Sequence, residues 1–92
     1  MVYREGRPNP EEVLCLAHEM KNWKQPGRAL KLKDPQLDEI EEDIRGLLEK
    51  SYAMLRRWME SEGSGATYEK LAKGLARVGR RDMIRTFCYE ST

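Results

Sequence analysis

The chain has one histidine, one phenylalanine and two cysteines in 92 residues, and no long apolar run. Each shortage argues against a class of function. His18 has no companions to complete a metal site and no nucleophile to serve as a general base, so it reads as a surface histidine. Cys15 and Cys88 form no Cys-x-x-Cys pair and have no histidine cluster beside them, which argues against zinc. Both fall on apolar stripes and are expected as buried thiols, with no need of a disulfide in a reducing compartment. No apolar stretch approaches the roughly 18 residues of a membrane-spanning helix, and no signal-peptide pattern is visible. The expectation is a cytoplasmic protein, or a cytoplasmic part of a larger one. An excess of charge of one sign is also missing. The net charge is +1 and the isoelectric point 7.8, whereas a nucleic-acid-binding domain usually exceeds about 9.

What is present suits one small, highly charged helical domain. Charged residues make up 36% and hydrophobic residues 39%. Mean hydropathy is −0.81, yet two Trp and four Tyr remain to build a centre, so global disorder is not expected. A chain of this length buries roughly 60–65% of its unfolded surface, which leaves little room for a catalytic cleft. The charge is sorted along the chain: residues 1–33 sum to +3, 34–49 to −6 and 50–92 to +4. The negative stretch contains an acid block, Asp38-Glu39-Ile40-Glu41-Glu42-Asp43. It lacks the alternating Asp loop and closing Glu of a calcium site. Separated patches of opposite sign suit the steering of a protein partner, or of a second copy of the chain.

Residues 1–9 read as a flexible N-terminal tail, 10–89 as one domain, and 90–92 as a C-terminal tail. Asn9-Pro10-Glu11-Glu12 is a helix start: a cap, a first-position proline and acids in the first turn. Val13, Leu14, Leu16, Ala17 and Met20 follow, and the helix should stop near Lys21-Asn22. A second helix runs from Trp23 to Leu32, with an irregular start expected at Pro26-Gly27. Asp34-Pro35 repeats the cap-then-proline signal for a third helix, ending near Asp43. Ile44–Glu62 is the strongest helix, with Leu47, Leu48, Tyr52, Leu55, Trp58 and Met59 at helical spacing. Gly63-Ser64-Gly65 breaks it. Thr67 caps a fifth helix carrying Tyr68, Leu71, Leu75 and Val78, and Gly79 closes it. A sixth helix holds Met83, Ile84, Phe87 and Cys88. No segment reads as a strand. The fold class is therefore all-α, a six-helix antiparallel bundle. Trp23 and Trp58 are expected in its core, the methionines as gap-filling packing, and Tyr52 and Tyr68 as core residues with wet hydroxyls.

This order of residues resembles the death domain. The family's second helix commonly reads Trp-x-x-Leu-Ala-x-x-Leu-Gly-Leu; here Trp23, Leu30 and Leu32 match, while Pro26, Gly27 and Lys31 depart. Leu37-x-x-Ile40-Glu41 is similar to the third helix, and Tyr52-x-Met54-Leu55-x-x-Trp58 to the fourth. Leu71-x-x-x-Leu75-x-x-Val78-Gly79-Arg80-Arg81-Asp82 is similar to the fifth helix and its exit. The resemblance implies a non-enzymatic interaction module with no cofactor. Its partners would be other death-domain proteins, and itself, in apoptotic and inflammatory signalling of the NF-kappa-B type. No nucleic acid, membrane insertion or small-molecule substrate is expected. The contact residues it implies are Asp38, Glu39, Glu42 and Asp43 on the third helix. Arg56, Arg57, Glu60 and Glu62 follow at the end of the fourth, and Arg77, Arg80 and Arg81 at the fifth-to-sixth corner. The alternative is a passive structural death domain in a cytoskeletal or receptor protein.

Overall fold

Helix α1 begins where the sequence supplies a cap: the Asn9 side chain accepts from the Glu12 N–H at 2.8 Å, and Pro10 occupies the first helical position. The computed structural model describes residues 3–20 and 22–88; the expected tail over 90–92 lies outside them. The helices are α1 (Pro10–Glu19), α2 (Lys24–Ala29), α3 (Asp34–Asp43), α4 (Leu47–Glu62), α5 (Tyr68–Arg77) and α6 (Arg81–Phe87), with one turn of 3-10 helix at Gly63–Gly65. No strand segment occurs among the described residues. α4 is the spine: α1 and α3 pack on it, α5 joins α6 and α2, and α2 also touches α3 and α4.

The core collects the apolar stripe of every helix. Trp23, Trp58, Met20, Met54, Met59 and Met83 are all buried. One polar side chain joins them. Ser51, with no exposed surface, places its Oγ 3.1 Å from the Met20 carbonyl and 3.0 Å from that of Leu47. Its hydroxyl therefore satisfies a carbonyl just past the end of α1 and ties it to α4, as a buried polar group requires.

Several boundaries differ from those expected. α4 starts at Leu47, not Ile44. The residues between carry no helix because Gly46 sits at φ +91° and resets the chain direction. Leu47 consequently remains 51% exposed, and Met54 and Ser51 take the centre of the stripe. α2 is confined to six residues, with Trp23 as its cap. α3 is capped by Lys33, whose N–H donates to the Gln36 side chain at 3.0 Å, so Asp34 is the first helical residue. Cys15 is exposed and Cys88 buried. The buried stripe of α1 is Val13, Leu16 and Ala17, and Cys15 points away from it. The Tyr68 hydroxyl is not wet: it donates to Glu12 at 2.8 Å.

Part of the expected tail lies against the bundle, with Tyr3 packed on the core. The Arg4 N–H donates to the Cys88 carbonyl at 2.8 Å, and its guanidinium pairs with Glu12 at 2.6 Å over the Tyr68 ring. Arg7 donates to the Met59 carbonyl at 3.1 Å, and Pro8 is buried.

Two measurements check this packing. A Cβ added at Gly27 would lie 2.8 Å from Leu37 Cδ2 and 3.2 Å from Met54 Cγ. Alanine is the better helix former by about 1 kcal/mol, but overpacking a core costs about 1–3 kcal/mol. Gly27→Ala should therefore lower the urea midpoint; a raised midpoint would mean that α2 packs more loosely. Burial pushes the Cys88 thiol up to about 11, and the thiolate is the reactive form. Ellman titration of the native protein at pH 8 should count one thiol, Cys15, and two after denaturation.

Candidate protein-interaction surface

α3 buries Leu37 and Ile40 and turns its acids outward. Two of the five acids in the block are matched within the molecule. Glu41 meets Lys50 at 3.0 Å and Lys24 at 3.7 Å, which joins α2, α3 and α4. The hydrogen bond from Lys50 holds the Glu41 carboxyl below its usual range. Glu39 faces Arg57 at 3.5 Å. Asp38, Glu42 and Asp43 are exposed and make no ion pair among the described residues. Asp38 and Glu42 are one turn apart on one face, a spacing at which like charges repel. Glu42 and Asp43 sit in the last turn of α3, which holds no basic residue. The helix dipole is negative there, so both carboxylates oppose it.

At the end of α4, Arg56 and Glu60 are exposed, while Glu62 pairs with Lys70 on α5 at 3.0 Å. The α5–α6 corner is divided. Arg80 is engaged within the molecule: it forks onto Asp82 at 3.2 and 3.1 Å and donates to the Glu19 carbonyl at 3.3 Å. The Asp82 bond raises the guanidinium's proton affinity, and Arg80 in turn holds the Asp82 carboxyl below its usual range. Arg80 thus ties the corner to the last residue of α1. Arg81 is exposed and meets no carboxylate among the described residues. Arg77 donates to the Ala29 carbonyl at 3.5 Å. Of the eleven residues singled out from the sequence, Glu39, Arg57, Glu62, Arg77 and Arg80 have internal partners. The cations Lys31 and Lys73, which share a groove with Arg77, were missed. The one sequence signal for them is Lys31 standing where the resembled pattern has Gly.

Among the described residues, no cluster of His, Cys, Asp or Glu is arranged to hold a metal, and no helix is long and apolar enough to cross a membrane. The surface offers charge complementarity, arranged on a rigid frame.

The cost of the acid edge is measurable. Asp43→Asn removes a charge from the wrong end of α3 and breaks no ion pair, so unfolding in urea should require roughly 0.3–1 kcal/mol more. Glu41→Gln, which gives up Lys50 and Lys24, should move the midpoint the other way. A loss of stability in Asp43→Asn would show that Asp43 has a stabilising partner.

Residues 11–89 match the family described as Death domain. Human receptor-interacting serine/threonine-protein kinase 1 is 42% identical over 74 residues, covering 77% of this chain and 11% of that protein. The tumor necrosis factor receptor type 1-associated DEATH domain protein of Danio rerio is 38% identical over 66 residues, covering 64% of this chain and 22% of the relative. Its human counterpart is 37% identical over 60 residues, covering 58% and 19%. The chain therefore spans less than a quarter of the length of each of these relatives. The match runs from the first turn of α1 past the end of α6 and takes in all six helices and every charged patch described above, and on that ground the chain belongs to the death-domain family, whose members are protein-interaction modules.

Proposed function

We propose that the domain is a non-enzymatic module that assembles with other death domains, its own copies included, in cytoplasmic apoptotic and inflammatory signalling of the NF-kappa-B type. The observation that carries this reading is the acid edge of α3. Asp38, Glu42 and Asp43 have no ion-pair partner among the described residues, and two of them stand against the helix dipole. The isolated chain gains nothing from that arrangement, and a basic partner surface would relieve it. Arg81 and Arg56 offer unpaired charge of the opposite sign. With Glu60 and the partly engaged Glu39, Arg57, Glu62, Arg77 and Arg80, they form the contact residues of this reading. The name of the Danio rerio relative associates that protein with tumor necrosis factor receptor type 1, and a receptor complex of that kind is the setting proposed here. No cofactor, nucleic acid, lipid insertion or small-molecule substrate enters the mechanism.

Light scattering on a size-exclusion column tests the reading. The mass of the wild type should rise with concentration and fall with added salt, because contacts between exposed charges are screened within about 10 Å at 0.1 M. Glu42→Lys and Arg81→Glu should each reduce assembly and leave the far-ultraviolet helical signal unchanged. Arg81 is the better probe of the corner, since Arg80→Glu would also break the tie to α1. Assembly undiminished in both variants would sink the proposal.

A further inference from the structure

α2 ends in a conformation that ordinarily belongs to glycine. Lys31 has φ +69°. Its N–H donates to the Arg28 carbonyl at 2.9 Å, and the Leu32 N–H reaches back to that of Gly27 at 3.0 Å. This is a left-handed helix cap, where glycine is strongly enriched because a side chain there is strained. Lys31 is the one residue other than glycine with positive φ among the described residues. Strain of this kind persists only where the surrounding structure holds it, and it clusters at functional sites.

The strained backbone sets Lys31 on the rim of a groove of about 290 Å³ between the end of α2 and α5. Lys70, Lys73, Arg77 and Glu62 share the lining, with Trp58 among its apolar surfaces. Glu62 neutralises Lys70. Lys31 and Lys73 are exposed and meet no carboxylate among the described residues; Arg77 touches a backbone carbonyl alone. The groove thus holds three uncompensated cations around an open concavity.

We propose that this groove receives the acidic edge of α3 from a second copy of the chain, with Asp38 and Glu42 of one copy meeting Lys31, Lys73 and Arg77 of the next. The inference rests on the self-assembly reading above and deepens it. Charge complementarity commits the occupant: the same chain carries an unpaired acidic edge and an unpaired basic groove. A contact between two different patches, when it is not reciprocated across a two-fold, closes into a ring or propagates head to tail.

A mixing experiment tests this. Lys31→Glu/Lys73→Glu disables the groove; Asp38→Lys/Glu42→Lys disables the edge. Each variant alone should be monomeric by light scattering. Mixed, they leave two possible pairings: groove-disabled with its intact edge against the intact groove of the other, and the reversed charges against each other. Both restore association, and association of the mixture with neither component associating alone supports the proposal. Lys31→Gly supplies an independent arm: relieved of strain, it should melt at a higher temperature than the wild type while associating more weakly. A groove variant that assembles like the wild type, while Glu42→Lys does not, would overturn the groove and leave the broader reading standing. A wild type that stays monomeric but captures the death domain of the kinase relative would overturn the second copy as occupant and leave the heterotypic reading. Binding of phosphatidylserine vesicles lost in the groove variant, with no self-association, would overturn it in favour of a lipid headgroup.

Discussion

The bundle depends on how closely α2 lies on its neighbours. Six residues are too few to hold a helix by themselves, and α2 is held by two close approaches made at glycines. At Gly27 a Cβ would strike Leu37 and Met54; at Gly74, on α5, it would come within 2.6 Å of Leu30 Cδ2. Through the first, α2 sits flush on α3 and α4; through the second, on α5. Pro26 is compatible with this because it falls in the first turn, where no N–H is needed, and its carbonyl still accepts from Leu30 at 2.9 Å. Close docking buries Trp23, Leu30 and Leu32 together. It also fixes where α2 ends, and hence where Lys31 stands.

The surface charge divides between groups that hold the frame and groups that do not. Glu41, Glu12 and Arg80 belong to the first kind. Glu41 links three helices through two lysines. Glu12 is the junction of Arg4, Asn9 and Tyr68. Arg80 spans from the α5–α6 corner to the end of α1. Solvent and salt screen the exposed pairs, so their role is to set geometry more than to stabilise. Asp38, Glu42, Asp43, Arg81, Lys31 and Lys73 belong to the second kind. A pair-by-pair separation of this sort distinguishes neighbours such as Glu41 and Glu42, or Arg80 and Arg81, that look alike in the sequence.

Helix number, order and caps could be read because their signals are local: Asn9-Pro10 begins α1, Thr67 accepts from the Lys70 N–H at 3.3 Å, and Gly63 and Gly79 close α4 and α5 at positive φ. Boundaries failed where apolar periodicity ran on past a backbone break, as at Ile44 before Gly46. Cys15 failed because a residue beside a stripe in sequence lies about 100° from its neighbour around the helix. The pairing of Arg80 with Asp82, two residues on, is local and could be read, but its reach to α1 was hidden, since the carbonyl partner is Glu19, 61 residues away. The packing reason for Gly27 was hidden for the same reason: Leu37 and Met54 lie on other helices. Tyr3 and Arg4 read as tail because polarity reports composition, not the backbone bond to Cys88.

Two local costs then fall into one account. Acids at the C-terminal end of α3 oppose its dipole, and a lysine occupies a left-handed cap. Neither touches the core, whose buried residues are apolar except for a hydrogen-bonded Ser51. A small core tolerates such costs because they are confined to helix ends, where each amounts to a fraction of the total stability. The two features carry opposite charge, so each is the complement of the other on a second copy. Contacts made this way are weak singly and screened by salt. In the assembly proposed above they would become decisive when several are engaged at once, each added copy raising the effective concentration of the next contact. A monomer that is slightly less stable than its sequence could make it, in return for edges that only neighbours complete, is what such an assembly requires.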